Sequence, residues 1–470
     1  SGMNRTLVLN VVGMTPSLLR FAPNLARLAG SDGMRPIRTV TPAVTTTVQS
    51  TLLTGLMPRD HGIVANGWYF RDLSEVLLWR QSNRLVAGEM VWDAAKRLDG
   101  AFTCAQLFWW YNMYGTADWS VTPRPMYPAD GRKLPDIYSE PPELRDDLQR
   151  RLGQFPLFRF WGPAADIVSS RWIAQCALDV FERQKPTLTL VYLPHLDYNL
   201  QRLGPDHPRI AQDVAEVDAL CGELIEAARK AGAHVVALSE YGITAVSRPV
   251  HINRALREAG FIRVREELGR ELLDAGASRA FAMADHQIAH IYVRDPADIP
   301  AVAALVRRLP GVESVLDDAG KRQHGLDHER SGELIAISDA QSWFTYYHFL
   351  DDSRAPDFAR TVDIHRKPGY DPVELFIDPA LAFPKLRIAS RLLRKALGMR
   401  YLMDVISLDA TLVKGSHGRP TDRPEDGPLF ITSAPELLGE TPVAATSVKT
   451  LLLDHVFGSA GQHTNARMVA

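Results

Sequence analysis

Three consecutive threonines, Thr45, Thr46 and Thr47, follow a proline turn in VTPAVTTTVQSTLLTGLMPRDHGIVANGWY, residues 40–69. The chain then reads as a short helix through Gln49, Ser50, Leu52 and Leu53 to Gly55. Hydroxyls just ahead of a helix cap its free N–H groups. The same spot suits a phosphate, because unpaired N–H groups and the positive dipole end converge there. A threonine here is therefore either a cap or a nucleophile facing a bound phosphoryl group. Further along, Asp363 and His365 alternate onto one face of an extended segment, as a metal pair would, beside Arg366 and Lys367, which could meet phosphate. The alternative is an exposed loop. Trp109, Trp110, Tyr111 and Asn112 open a dense aromatic stretch that either lines a ligand pocket or packs as a lid on the core. Asp285, His286 and His290 are suggestively spaced, but a strand with polar flanks accounts for them.

These residues need a scaffold, and the apolar runs supply one. Thr6–Val12, Pro186–Pro194 and His234–Leu238 are short apolar runs of the kind found in buried parallel strands. Pro23–Ala29, Ala87–Arg97, Ala165–Arg183 and Ile210–Ala231 have helical spacing, and Phe102–Trp110 reads as a further strand. Residues 263–310 form a small α+β excursion, and Gly332–Ser338 is another strand. Strands alternating with helices predict an α/β fold, a mainly parallel central sheet sandwiched by helices. In such sheets ligands bind outside the carboxyl ends of the strands. Asp197, Tyr198, Asn199 and Gln201 follow one such end, and Ser239, Glu240 and Tyr241 follow another.

The stretch from Pro42 to Ile63 resembles the nucleophile segment of the alkaline phosphatase superfamily, nearest its nucleotide pyrophosphatase/phosphodiesterase branch. Pro42, Thr45, Thr54, Gly55, Pro58, His61, Gly62 and Ile63 occupy the places of P-x-x-[T/S], a short helix, then T-G-x-x-P-x-x-H-G-I. The resemblance implies Thr45 as the catalytic nucleophile. It continues at Asp197 with Gly204-Pro205, at Ser239-Glu240-Tyr241-Gly242, and at Gly415, His417 and Gly418. It implies two metal ions about 4 Å apart that clamp the phosphoryl group. Asp197 and His417 stand in the places of one ion's ligands, and Glu240 in a place of the other's. The chain departs at three expected ligands: Val12 replaces an aspartate, Gln201 a histidine and Tyr241 a histidine. Gln201 is a poor zinc donor, and Asn10, His365 or Asp363 are the substitutes at hand.

The expectation is an alkaline phosphatase-like domain over residues 4–470, with lid insertions near 100–165 and 340–410. The implied activity is a metal-dependent phosphodiesterase or phosphohydrolase acting through Thr45 on a small-molecule phosphate ester. The implied cofactor is Zn2+, Mn2+ or Mg2+, as a pair or a single ion, with Trp109, Trp110, Asn112 and Tyr241 contacting substrate. The alternative is a degenerate phosphatase fold that binds without hydrolysis. Composition is ordinary, with 46% hydrophobic and 23% charged residues and a net charge of -2, so no bulk charge favours a nucleic-acid polymer or an anionic membrane. Three dispersed cysteines, Cys104, Cys176 and Cys221, argue against a disulfide framework and for a cytoplasmic setting. The opening residues carry no basic segment and no long apolar run, so no signal peptide is expected.

Overall fold

The structure is a computed structural model that describes residues 2–381 and 405–458. Its central sheet contains, in chain order, β1 (Thr6–Val11), β2 (Met34–Arg38), β3 (Cys104–Leu107), β4 (Trp119–Pro123), β5 (Ile137–Glu140), β6 (Leu188–Leu193) and β7 (His234–Leu238). A second, four-stranded antiparallel sheet follows from β8 (Ala280–Asp285), β9 (Ile288–Val293), β10 (Val312–Leu316) and β11 (Leu334–Ser338). Then β12 (Leu429–Thr432) and β13 (Val443–Ala444) return to the central sheet, whose spatial order is β13-β2-β12-β7-β1-β6-β3-β4-β5.

The five middle strands, β7, β1, β6, β3 and β4, run parallel, and antiparallel partners close both sides. Their apolar sequences follow from that position, since both faces are covered. One face packs on α1 (Pro23–Ala29), α3 (Ile167–Arg183) and α5 (Ile210–Lys230), through Leu25, Ile173, Val214 and Leu224. The other packs on α2 (Thr45–Thr54) and α6 (Val448–Phe457), through Val48, Leu52 and Leu452. This is the α/β sandwich expected from the alternation of strands and helices. Within 100–165, β3, β4 and β5 extend the central sheet, while the connecting turns reach the ligand edge.

Two local features set the edge. Helix α2 begins at Thr45, not after the threonines, and its N-cap is Val44, which offers no side-chain cap. All ten residues of α2 are buried, so its hydroxyls find partners within the fold. Ser50 and Thr54 donate to the carbonyls of Thr46 and Ser50, at 2.8 and 2.6 Å. His61 accepts the Ile63 N–H at Nδ1 and reaches Thr51 from Nε2 at 2.9 Å, which ties the turn after α2 back onto it. The helix stops at Gly55, whose φ of 72° donates its N–H to Thr51 O.

The second feature is a buried ion cluster in the segment that lies over the edge. Lys367 Nζ meets Asp371 at 2.8 Å, Glu374 at 2.5 Å and the Thr361 carbonyl at 2.8 Å. Trp161 Nε1 donates to the other Glu374 oxygen at 2.7 Å. So Lys367 holds the chain rather than meeting a phosphate, and it fixes the loop that carries Ile364 and Tyr370. Among the described residues no helix is long and apolar enough to cross a membrane.

Candidate active site

Three strand ends and one helix start converge. α4 (His195–Leu203) follows β6 after Pro194 and presents Asp197 and Gln201, one turn apart. Glu240 and Tyr241 follow β7, α2 supplies Thr45 and Gln49, and His417 arrives from the Gly415–Ser416 strand. Thr45, Gln49, Asp197, Tyr241 and His417 line a cavity of about 80 Å3 together with Trp79, Trp110, Phe160, Trp161 and Tyr370. Glu240 and Gln201 lie in the polar shell just behind the lining.

The hydrogen bonds define the chemistry. Thr45 Oγ1 lies 3.4 Å from Tyr241 Oη, which donates to Asp197 Oδ1 at 2.9 Å. Gln201 Nε2 donates to Asp197 Oδ2 at 3.0 Å, and Gln201 Oε1 accepts from Tyr370 at 2.9 Å. Glu240 Oε2 accepts from Asn10 at 2.7 Å and from Gln49 at 2.5 Å. The Gln49 carbonyl in turn accepts the Trp110 N–H, which fixes that aromatic turn. His417 donates from Nδ1 to the Ala43 carbonyl at 2.7 Å, so Nε2 keeps its lone pair and has no partner. The His417 ring stacks on Tyr241 at 3.5 Å and lies beside His286 at 3.8 Å.

Burial dominates the titration of these groups. It pushes Glu240 up to about 7 and Asp197 up to about 6, partly offset by the hydrogen bonds they accept. It pushes His417 down to about 3, so the imidazole is neutral. Asp285 rises to about 7 for the same reason. That residue holds Asn66 through its backbone and side-chain N–H groups at 2.8 and 3.1 Å, and Asn66 Oδ1 accepts from the Thr46 N–H and hydroxyl. The start of α2 is thus clamped from below.

Among the sequence candidates, Thr45, Asp197, Gln201, Glu240, Tyr241, His417 and Trp110 gather in and around this cavity. Four others lie elsewhere. Trp109 is fully buried, and Asn112 donates to the carbonyls of Gln106 and Val121, so both belong to the core under the aromatic turn. Asp363 and His365 line a neighbouring cavity with Arg80, Arg124 and Lys133. Asp363 is engaged there by Arg366 and by the backbone N–H groups of His365 and Arg366. Gln49, Trp79, His286 and Tyr370 were not among the candidate site residues. For His286 the strand-flank reading missed that it tips the β8–β9 hairpin at φ 61°, stacked on Tyr370 at 3.6 Å.

A pair of transition-metal ions does not fit these residues. Val12 packs in the apolar core on the other sheet face, and it is Asn10 that reaches the site. Gln201 has both amide ends engaged, Tyr241 contributes a hydroxyl already shared, and among the described residues His417 is the one imidazole at a sequence-expected ligand place. A single hard cation fits better. Asn10 Oδ1 and Glu240 Oε1 are buried oxygens without partners beside Thr45, and oxygen-only sets suit Mg2+ or Mn2+. Among the described residues no Lys or Arg lines the cavity, so a phosphate there needs positive charge from another source.

Known proteins share this architecture. Phosphonoacetate hydrolase from Sinorhizobium meliloti, solved with phosphonoformate, superposes with a TM-score of 0.59 at 15% identity, over 96% of this chain and 95% of that one. Murine ectonucleotide pyrophosphatase / phosphodiesterase 5, an inactive form solved with AMP, gives 0.56 at 15% identity over 96% and 94%. An uncharacterized pyrophosphatase/phosphodiesterase of Schizosaccharomyces pombe is 26% identical over 243 residues, which cover 48% of this chain but only 42% of that protein. The family model for type I phosphodiesterase / nucleotide pyrophosphatase matches residues 6–371. The chain therefore belongs to the type I phosphodiesterase / nucleotide pyrophosphatase family of the alkaline phosphatase superfamily, a family of hydrolases acting on phosphoric ester bonds.

Proposed function

We propose that the chain hydrolyses a small-molecule phosphate ester, with Thr45 as nucleophile. The observation that carries the reading is the place of Thr45. It is the first residue of a buried helix, at the edge of the aromatic-lined cavity, with its hydroxyl beside a carboxyl poised near neutrality. Glu240, Tyr241 and Tyr192 all interact with that hydroxyl. Glu240 accepts the hydroxyl proton as Thr45 Oγ1 forms its bond to phosphorus and the ester P–O bond breaks. The departing oxygen takes that proton from Glu240, and water then adds its oxygen to phosphorus and its proton to Thr45 Oγ1 as the threonine–phosphoryl bond breaks. Tyr241 holds Asp197 and Thr45 in register, and the N-terminus of α2 faces the phosphoryl oxygens. Glu240, Asn10 and Thr45 would hold one divalent ion, which when bound lowers the hydroxyl pKa and offsets phosphate charge.

The aromatic roof suits a flat or apolar ester group, and the free buried cysteines fit a cytoplasmic setting. A binding protein without hydrolysis is the second reading, favoured by the Tyr241 hydroxyl occupying the space between Thr45 and Asp197. A chromogenic aryl phosphodiester assayed with Mg2+, Mn2+ or Zn2+ separates the two. Turnover that disappears in Thr45→Ala supports the hydrolase. Absence of turnover with every ion, together with saturable phosphate-ester binding, supports the binding protein.

A further inference from the structure

We propose a second divalent-metal site outside the cavity, between α4 and α5, formed by His195, Asp213 and Glu216. One ligand atom from each lies within 4.8 Å of the others. His195 Nε2 stands 3.7 Å from Asp213 Oδ1 and 3.9 Å from Glu216 Oε2, too far for hydrogen bonds. An ion about 2.1 Å from each donor spaces its ligands about 3.5 Å apart, so a small closure brings all three into its shell. His195 is 4% exposed and neither ring nitrogen has a partner, an expensive state for a buried imidazole with no ion beside it. Asn199 donates to Asp213 Oδ2 at 2.8 Å and leaves Oδ1 for His195, the orienting role of an outer-shell partner. The nearby guanidinium of Arg202 bonds to the carbonyls of Leu375, Ala165, Gly162 and Pro163, and its charge and that of Arg209 act on Asp213 through space without a direct ion pair.

The spacing is regular on both helices. His195 and Asn199 are one turn apart on α4, and Asp213 and Glu216 one turn apart on α5. One imidazole and two carboxylates suit Zn2+ or Mn2+, and the 31% exposure of Glu216 leaves a side open to water. An ion here pins the first turn of α4, which carries Asp197 into the cavity. Its role is positional, and the site stands whether or not Thr45 is a nucleophile.

The test is zinc uptake by full-length protein stripped with a chelator, read by equilibrium dialysis and elemental analysis, with melting temperature as a second signal. Wild type should take up an equivalent that raises the melting temperature. Glu216→Gln, an isosteric change at a partly exposed position, should weaken that uptake at least tenfold and abolish the thermal shift. His195→Gln should do the same, whereas His417→Ala should retain both. A zinc-edge anomalous peak between α4 and α5 would place the ion. No uptake by wild type, equal uptake by Glu216→Gln, or loss of the equivalent only in His417→Ala would each overturn the proposal.

Discussion

The buried carboxyl of Glu240 makes a quantitative test of the candidate site. Its folded value is about 7 against an ordinary 4.5, with burial as the cause. A carboxyl raised on folding binds its proton more tightly in the native state, so its stabilising effect is complete below about pH 4.5 and disappears as pH rises through about 7. The full shift is worth about 3 kcal/mol, of which about 2.5 kcal/mol falls between about pH 5 and pH 8. Glu240→Gln keeps an oxygen for the Asn10 and Gln49 donors and removes the titration. It places an N–H2 group at the unpartnered Oε1 position, which costs about 1–3 kcal/mol at every pH. Urea unfolding of both proteins without divalent ions should therefore show the variant gaining about 2.5 kcal/mol on wild type from about pH 5 to pH 8. Titrating groups that do not interact with Glu240, including the depressed histidines, are shared by both proteins and cancel in the difference. Adding Mn2+ at about pH 8 should stabilise wild type more than Glu240→Gln. A difference that stays flat with pH would refute the claim that burial holds this carboxyl near neutrality.

Four further outcomes follow. Thr45→Ala should remove aryl phosphodiester hydrolysis while circular dichroism and melting stay near wild type, and retained activity would exclude Thr45 as nucleophile. Tyr241→His combined with Gln201→His should raise zinc uptake well above wild type by calorimetry, because two imidazoles return to the places where the resemblance expects them. Lys367→Ala leaves Asp371 and Glu374 buried without their cation, so unfolding free energy should fall by about 3–5 kcal/mol in denaturant titration. Gly242→Ala would set a Cβ 1.7 Å from the Asp426 carbonyl oxygen, and the loss of soluble, cooperatively melting protein is the expected result.

The sheet was legible in the sequence because its middle strands are covered on both faces. TLVLNV, LTLVYL and HVVAL leave no polar alternation to confuse with a surface strand, and the observed bounds fall within a few residues of the apolar runs. The nucleophile segment was legible for a local reason as well. Gly55 must end a helix in a left-handed turn, and His61 must bond back to Thr51, so the spacing is fixed by geometry within a few turns of chain. The three missing metal ligands were equally visible as residue types.

What the sequence could not decide is which side chains face the cavity and what already engages them. Val12 sits at the expected ligand place, but β1 ends at Val11 and the turn that follows packs Val12 into the neighbouring core, while Asn10 reaches Glu240 across 230 positions of chain. Asp363 and His365 share a face on paper, yet Arg366 draws Asp363 to a neighbouring cavity. His286 enters only because the hairpin tip of the second sheet meets the segment that carries His417. Gln49 is one more helical glutamine until Glu240 and the Trp110 backbone are placed beside it. Local periodicity follows from bonds between near neighbours, whereas a cavity joins residues hundreds of positions apart, and those meetings are set by the packing of whole layers.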